Sequence, residues 1–290
     1  MNKIILNELE YAEQCIRDGY VDSKPFFTLS ILAKYYYHHL GYKPKQVKDE
    51  LTEFMEKNCD LYKCNKPYWD ERIKKLSQTV KRYKLYEIEG VWVTQAELLK
   101  ISELHDKVLE KLAFTLLCLA KLAIQKNGKS SGWVNETDKT IFSLARISCT
   151  TVERDFNIGK LYELGYLELP KKNEVTSVRV TYIDDNSEKE LFIHDFRELG
   201  YEYLKYTGQN YTRCAECGIL YKNSKTHPSR YCRSCRQYQP LETKKLICID
   251  CGKEFEIEPS SRRIRCDACY LEERRRIERE KKRRQRAEKV

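Results

Sequence analysis

Apolar residues recur at helical spacing through the first third of the chain. Ile5, Leu9 and Ala12 share one face of a segment, residues 2–18, that stops near Gly19. After the break at Lys24-Pro25 a second helix is expected from Thr28 through His39, closed by Gly41. A third is expected from Lys45 to Asn58, opened by Pro44, with Val47, Leu51, Phe54 and Met55 as its apolar stripe. Residues 59–64 read as a loop, and a fourth helix is expected from about Tyr68 to Tyr83. From Leu85 to Val93 the pattern alternates instead, about Gly90, which predicts a β-hairpin.

The second third keeps the helical period. A long helix is expected from about Gln95 to Lys126 and ends at Asn127-Gly128. It holds the longest apolar run, Leu112 to Ile124, which is too short to span a bilayer and is interrupted by Lys121. Thr137 is placed to cap a helix through Ala145, Ile147 to Thr150 make a turn, and another helix runs from Thr151 to Leu164 before Gly165. Strands at 166–169 and 178–183 flank a turn at Pro170-Lys171-Lys172-Asn173, and a strand at 191–193 with a helix at 195–206 completes the unit.

Helix, helix, turn, helix, strand, wing and strand resemble the winged-helix family over residues 107–184. That resemblance implies a helix in the DNA major groove, with Ser148, Thr150, Thr151, Arg154, Asn157 and Lys160 at bases or phosphates and Lys171 and Lys172 at the backbone. Glu153, Asp155 and Glu163 nevertheless leave that helix with a net charge of −1, so a protein-contact role stands level with the DNA one. The helices and hairpin of residues 1–94 suggest a second, winged-helix-like arrangement. Leu29 to Leu76, with GYKPKQVKDELTEFMEKNCD at its centre, also resembles the small helical module at the end of phage and plasmid primases, without any catalytic motif.

The last third is organised by cysteine. Eight of the thirteen cysteines form four CxxC pairs: Cys214/Cys217, Cys232/Cys235, Cys248/Cys251 and Cys266/Cys269. Each half reads CxxC, fourteen residues, CxxC, and the second repeats the first at a period of 34 residues, with Gly218 and Gly252, then Tyr221 and Phe255, at matching places. Two knuckles at this spacing can close a tetrahedral four-cysteine zinc site, and two such sites call for two structural Zn2+ ions. Short β-prone stretches at 219–221 and 254–257 suit a ribbon hairpin. A disulfide framework would suit a secreted chain, but no signal peptide is visible and the other five cysteines are scattered; an iron–sulfur cluster favours other spacings. His227 lies inside the first loop as an ordinary loop residue, and a third metal site from Cys59, Cys64 and the His38-His39 pair has only a CxxxxC spacing behind it.

Charge follows the same division. Of the net +10, residues 205–290 carry 23 Lys and Arg against 12 Asp and Glu, whereas residues 1–204 are close to neutral. From Leu271 to the end there are ten Lys or Arg and five Glu, a helix-prone stretch with almost no apolar face. This is the footprint of a polyanion-binding end. The candidate contacts are Arg213, Arg230, Arg233, Arg236, Arg262, Arg263, Arg265, Arg274, Arg275, Arg276, Lys281, Lys282, Arg283 and Arg284, with Lys171 and Lys172 in the wing. Tyr211, Tyr231 and Tyr238 alternate with the first group, an arrangement that can stack on bases, and the arginines can equally offset the negative charge of a four-thiolate zinc site.

The expected fold class is mainly α with small β. It comprises a helical domain (1–94), a winged-helix domain (95–206), a first four-cysteine module (207–240), a second (241–270), and a basic helix or arm (271–290), with the modules separable by a cut near Tyr206. No Walker motif, GxSxG or HExxH is present, so no catalysis and no small-molecule substrate are expected. The chain reads as a cytoplasmic, zinc-dependent nucleic-acid-binding protein, DNA ahead of RNA, with no membrane association. The CxxCG…RxCxxC ending and the Lys, Tyr and Ile richness resemble accessory proteins of phages and mobile elements of low-GC bacteria. The competing expectation is an interaction scaffold whose zinc ribbons dock on a host protein such as RNA polymerase or a defence factor.

Overall fold

The computed structural model describes residues 4–128, 131–170, 177–237, 243–258 and 261–287; the wing lysines Lys171 and Lys172, and Tyr238, lie outside them. The protein is mainly helical with small sheets and divides into two compact units, residues 1–230 and 231–290. No helix among the described residues is long and apolar enough to cross a membrane.

The first unit holds two apolar cores. Helices α1 (Glu8–Asp18), α2 (Pro25–Lys34), α3 (Pro44–Asn58), α4 (Asp60–Cys64) and α5 (Lys66–Thr79) enclose the first, where Ala12, Leu29, Val47, Leu51, Met55 and Ile73 are fully buried. The loop expected at 59–64 is thus the short helix α4. Helix α2 does not simply run on to His39: Tyr35–His39 form a π-helical turn, closed by the Leu40 amide donating to the Tyr35 carbonyl five residues back.

The hairpin expected across Gly90 does not form. Residues 86–88 pair instead with the stretch before α1, Glu8 N–H donating to Tyr86 O and Ile88 N–H to Leu6 O. Strand β1 (Val91–Thr94) crosses to β5 (Lys189–Ile193), antiparallel, a hundred residues away. Gly90 is needed for that crossing, since a Cβ there would lie 2.4 Å from the Ile193 carbonyl oxygen. The wing that the sequence suggested for residues 1–94 is therefore absent, and β1 belongs to the second core.

The expected helix from Gln95 to Lys126 is two helices, α6 (Gln95–Ser102) and α7 (Lys107–Asn127). The restart is encoded by Asp106, whose carboxylate accepts from the Val108 and Leu109 amides, after His105 in left-handed backbone. Helix α7 is the axis of the second core, buried on nearly every side among α6, α8 (Asp138–Leu144), α10 (Leu199–Tyr206) and a three-stranded antiparallel sheet. That sheet has the order β2-β4-β3, from β2 (Trp133–Val134), β3 (Leu167–Glu168) and β4 (Val178–Val180). Between α8 and β3 runs α9 (Thr151–Glu163), started by a capping box of Thr150 and Glu153. Strand β2 escaped the sequence reading because two residues carry no periodicity.

Lys121, the charge inside the apolar run, is buried against Glu97 at 2.9 Å and Asp185 at 2.9 Å. Glu97 also accepts from the Thr94 and Asp184 amides, so this one pair ties α6, α7 and the segment before β5 together. Lys121→Met keeps the volume and strands the Glu97 carboxylate. Urea unfolding is expected to show a loss of about 3–5 kcal/mol, and a change below about 1 kcal/mol would mean that water reaches Glu97.

Candidate metal centres and the basic surface

Each leading knuckle is the turn of a hairpin. Strands β6 (Tyr211–Arg213) and β7 (Leu220–Lys222) flank Cys214–Gly218, and β8 (Lys244–Ile247) and β9 (Glu254–Ile257) flank Cys248–Gly252. The pairing thus joins the strands on either side of one knuckle, where the sequence had pointed only to the stretch after it. The duplication extends to individual hydrogen bonds. Cys214 N–H donates to Ile219 O and Gly218 N–H to Cys214 O, and at the 34-residue offset Cys248 N–H donates to Lys253 O and Gly252 N–H to Cys248 O, all at 2.9 Å. Ala215 to Arg230 recurs as Ile249 to Ile264, and Arg236 to Cys232 as Tyr270 to Cys266. Gly218 and Gly252 sit at φ 69° and 68°, a left-handed backbone that closes the knuckle and that a Cβ would strain.

The sulfurs converge as the spacing required. Cys214, Cys217, Cys232 and Cys235 form one cluster and Cys248, Cys251, Cys266 and Cys269 the other, each with its ligand atoms within 4.8 Å of one another. Cys251 Sγ and Cys266 Sγ are 3.7 Å apart. That separation is far beyond the ~2.05 Å of a disulfide and matches the ~3.8 Å edge of a tetrahedron with Zn–S bonds of about 2.3 Å. Backbone N–H groups of Cys266, Cys251 and Asp250 hold the Cys248 thiol down to about 6, while hydrogen bonding to Cys266 and Cys251 pushes Cys269 up. Four sulfurs this close share negative charge that a divalent cation neutralises. Both sites fit a structural zinc ion, two in all, and neither leaves an open ligand position. Among the described residues no third such group exists: His38 contacts the Tyr83 carbonyl, His39 stacks on Tyr35, and neither Cys59, which is buried, nor Cys64, which is exposed, joins a cluster of metal-binding side chains.

The two modules differ beyond the last cysteine. Cys235 sits in α11 (Arg233–Arg236), a single turn, whereas Cys269 lies in the first turn of α12 (Asp267–Ala287), 21 residues long. At 1.5 Å per residue α12 spans roughly 31 Å. Helical spacing sets Arg275, Arg279 and Lys282 along one stripe, with Arg276 and Arg283 beside it.

The predicted basic contacts divide into two kinds. Arg230, Arg233, Arg236, Arg262, Arg274, Arg275, Lys281, Lys282, Arg283 and Arg284 are exposed and carry no ion pair among the described residues. Others are engaged: Arg263 bonds Asp267 and lies over the Phe255 and Tyr270 rings, Arg265 bonds Asp250, and Arg276 bonds Glu273. Arg213 is the most committed. It bridges Asp195 and Glu202 and donates to Gly218 O, while Arg197 donates to the Cys217 carbonyl and Tyr201 packs on Tyr211 at 4.7 Å. Burial would raise the Asp195 carboxyl, but hydrogen bonds and charge from Arg197, with the charge of Arg213, hold it below the usual range; at Glu202 burial prevails and the carboxyl is raised.

The first hairpin is consequently part of the front unit, and a cut near Tyr206 would uncover α10. Sequence spacing could not reveal this, because the partners of Arg213 come from a different element. Arg213→Ala should lower stability by about 2–3 kcal/mol, less than a fully buried pair because Arg213 is partly exposed. It is expected to lower Tm while the protein keeps two zinc ions. An unchanged Tm would show that the bridge adds nothing to the docking.

Helix α9 presents a different surface. Val152 and Phe156 are 77% and 60% exposed on one face, and Lys160 lies over the Phe156 ring. Ser148 and Arg154 line a pocket with Arg146, while Thr150 is occupied in its cap and Asn157 bonds the Glu153 carbonyl. Compared with known proteins, the chain matches no protein-family model, no curated protein and no solved structure.

Proposed function

We propose that the protein is a zinc-stabilised nucleic-acid-binding protein, DNA ahead of RNA. It serves as an accessory or regulatory factor in transcription or replication, of the kind encoded by phages and mobile elements, and works by binding, without catalysis of its own. The observation that carries this reading is α12, a long helix with exposed cations that starts directly after Cys266 and holds Cys269 of the second zinc site in its first turn. A metal-anchored helix of this charge meets phosphates as a preset row rather than as a loose arm, and gains affinity through counterion release. The exposed arginines Arg230, Arg233, Arg236 and Arg262 extend the same surface chemistry.

The preference for DNA rests on the order α7, β2, α8, α9, β3, β4 with sheet order β2-β4-β3, which supports a winged helix. At α9 the exposed Val152 and Phe156 and the net charge of −1 favour a docking contact as much as a DNA contact, so the winged helix supplies either sequence choice or a docking surface beside α12.

A second reading is favoured by one surface. Ile247, Ile249 and Ile264 of the second module are 71%, 59% and 50% exposed, and the Ile249 amide donates to the Ile264 carbonyl. Such a cluster on a zinc ribbon suits docking on a protein such as a polymerase. Binding of the two-zinc chain to duplex DNA, single-stranded DNA and RNA across a salt series separates the two. Steep salt dependence supports the first reading; no binding at low salt would leave only the second.

A further inference from the structure

A cavity of about 550 Å³ opens beside the first core, between α2 and α5. Its walls are two helix faces, Phe26, Ser30 and Lys34 at i, i+4 and i+8 on α2, and Arg72, Lys75, Leu76 and Thr79 on α5, closed by Val80 and Tyr83. The volume lies in the range of sites that enclose small ligands. The lining is divided by chemistry. Leu76 and Val80 form an apolar floor, Phe26 and Tyr83 are aromatic and 40% and 56% exposed, and three cations complete the wall.

The cations are not equivalent. Lys34 is neutralised by Glu8 at 2.5 Å, and Lys75 makes an exposed pair with Glu71 that competes weakly with a ligand. Arg72 has no carboxylate partner among the described residues. Its guanidinium lies 5.3 Å from the Phe26 ring centre and 4.7 Å from that of Tyr68. A guanidinium stacked on rings keeps its in-plane N–H donors free for a planar or tetrahedral oxyanion. The hydroxyls of Ser30 and Thr79 donate to the Phe27 and Lys75 carbonyls, so what they offer the cavity is an acceptor, suited to an exocyclic amino group. The rim is held in place from outside, since His38, in the π-helical turn that follows Lys34, contacts the Tyr83 carbonyl. Such turns interrupt helices frequently at functional sites.

We infer that this cavity binds a nucleoside phosphate, with an amino-bearing base against Phe26, Tyr83 and the apolar floor and the phosphate on Arg72 and Lys75. Solvation of an exposed arginine would account for Arg72 alone, but not for unpaired cation, aromatic rim, apolar floor and acceptors around one cavity. The ligand chemistry has two sources, a free nucleotide or the 5′-phosphorylated end of an unpaired strand. The site stands independently of α12.

The test is calorimetric titration of the full two-zinc chain with adenosine 5′-monophosphate, inorganic phosphate and a short 5′-phosphorylated deoxyadenosine strand. Salt of about 0.5 M screens exposed charge to within a few Å, and the strand arm uses a background with Arg275, Arg279, Lys282 and Arg283 changed to Gln. The expected result is that the monophosphate binds more tightly than inorganic phosphate, and that Arg72→Ala and Phe26→Ala each weaken it tenfold or more at unchanged Tm. Both positions are exposed, so neither substitution threatens the fold. Tighter binding of the strand than of the monophosphate would assign the site to strand ends, and equal binding to the free nucleotide. Monophosphate binding no tighter than phosphate, or parental affinity in both variants, would overturn the inference without touching the role of α12.

Discussion

Cys251→Ser should cost the protein one of its two zinc ions and unfold residues 243–258 and the start of α12, while the first cluster keeps its metal. Among the described residues of the second module only Cys248 and Ile257 are buried, and the surrounding isoleucines are exposed, so there is no apolar core to hold the hairpin. A structural zinc in such a module contributes about 10–16 kcal/mol of apparent binding free energy, which exceeds anything the four-residue strands β8 and β9 supply. All four ligands of the second site come from one module, as do the matching backbone bonds at Cys248, Ile249 and Gly252. Metal content falling from two to one, with amide exchange rising only over the second module, is the expected outcome. Loss of both ions would show that the modules fold as one.

The largest effect on binding should come from salt. If α12 and the exposed arginines neutralise about six phosphates, affinity for duplex DNA falls by roughly three orders of magnitude between about 50 and 200 mM salt. Changing Arg275, Arg279, Lys282 and Arg283 together to Gln should make the slope of log K against log salt shallower by about 3 to 4. These side chains are exposed and make no ion pairs among the described residues, so the fold and the zinc content should not change. A variant that binds with the parental slope would remove α12 from the interface.

How far the sequence carried depended on whether a feature was local. The zinc ligands were legible because two cysteines and the glycine after them define a knuckle within five residues, and the 34-residue repeat states it twice. Helices with clear stripes, such as α3, and strands such as β9 fell where periodicity placed them. The features that were missed needed partners far along the chain. Strand β1 alternates like half of a hairpin, yet its partner is β5, and Gly90 serves close approach there rather than a turn. The break between α6 and α7 was written in a cap, Asp106, which a count of apolar positions passes over. Arg213 is indistinguishable in sequence from the surface arginines because its carboxylates lie on α10 and just before it. The cavity between α2 and α5 was invisible for the same reason, being made of two outward faces that periodicity classes as solvent.

Cys266 and Cys269 stand at the head of α12. An isolated helix is limited by its first turn, which fixes several residues for a single hydrogen bond, while later turns add one bond per residue. Helix α12 has almost no apolar face to help it past that step. Here Cys269 and the Tyr270 amide, bonded to the Cys266 carbonyl, lie in a turn that the second zinc site holds shut. A bound ion would thus act as a helix nucleus for the long run of charged chain that never touches the metal.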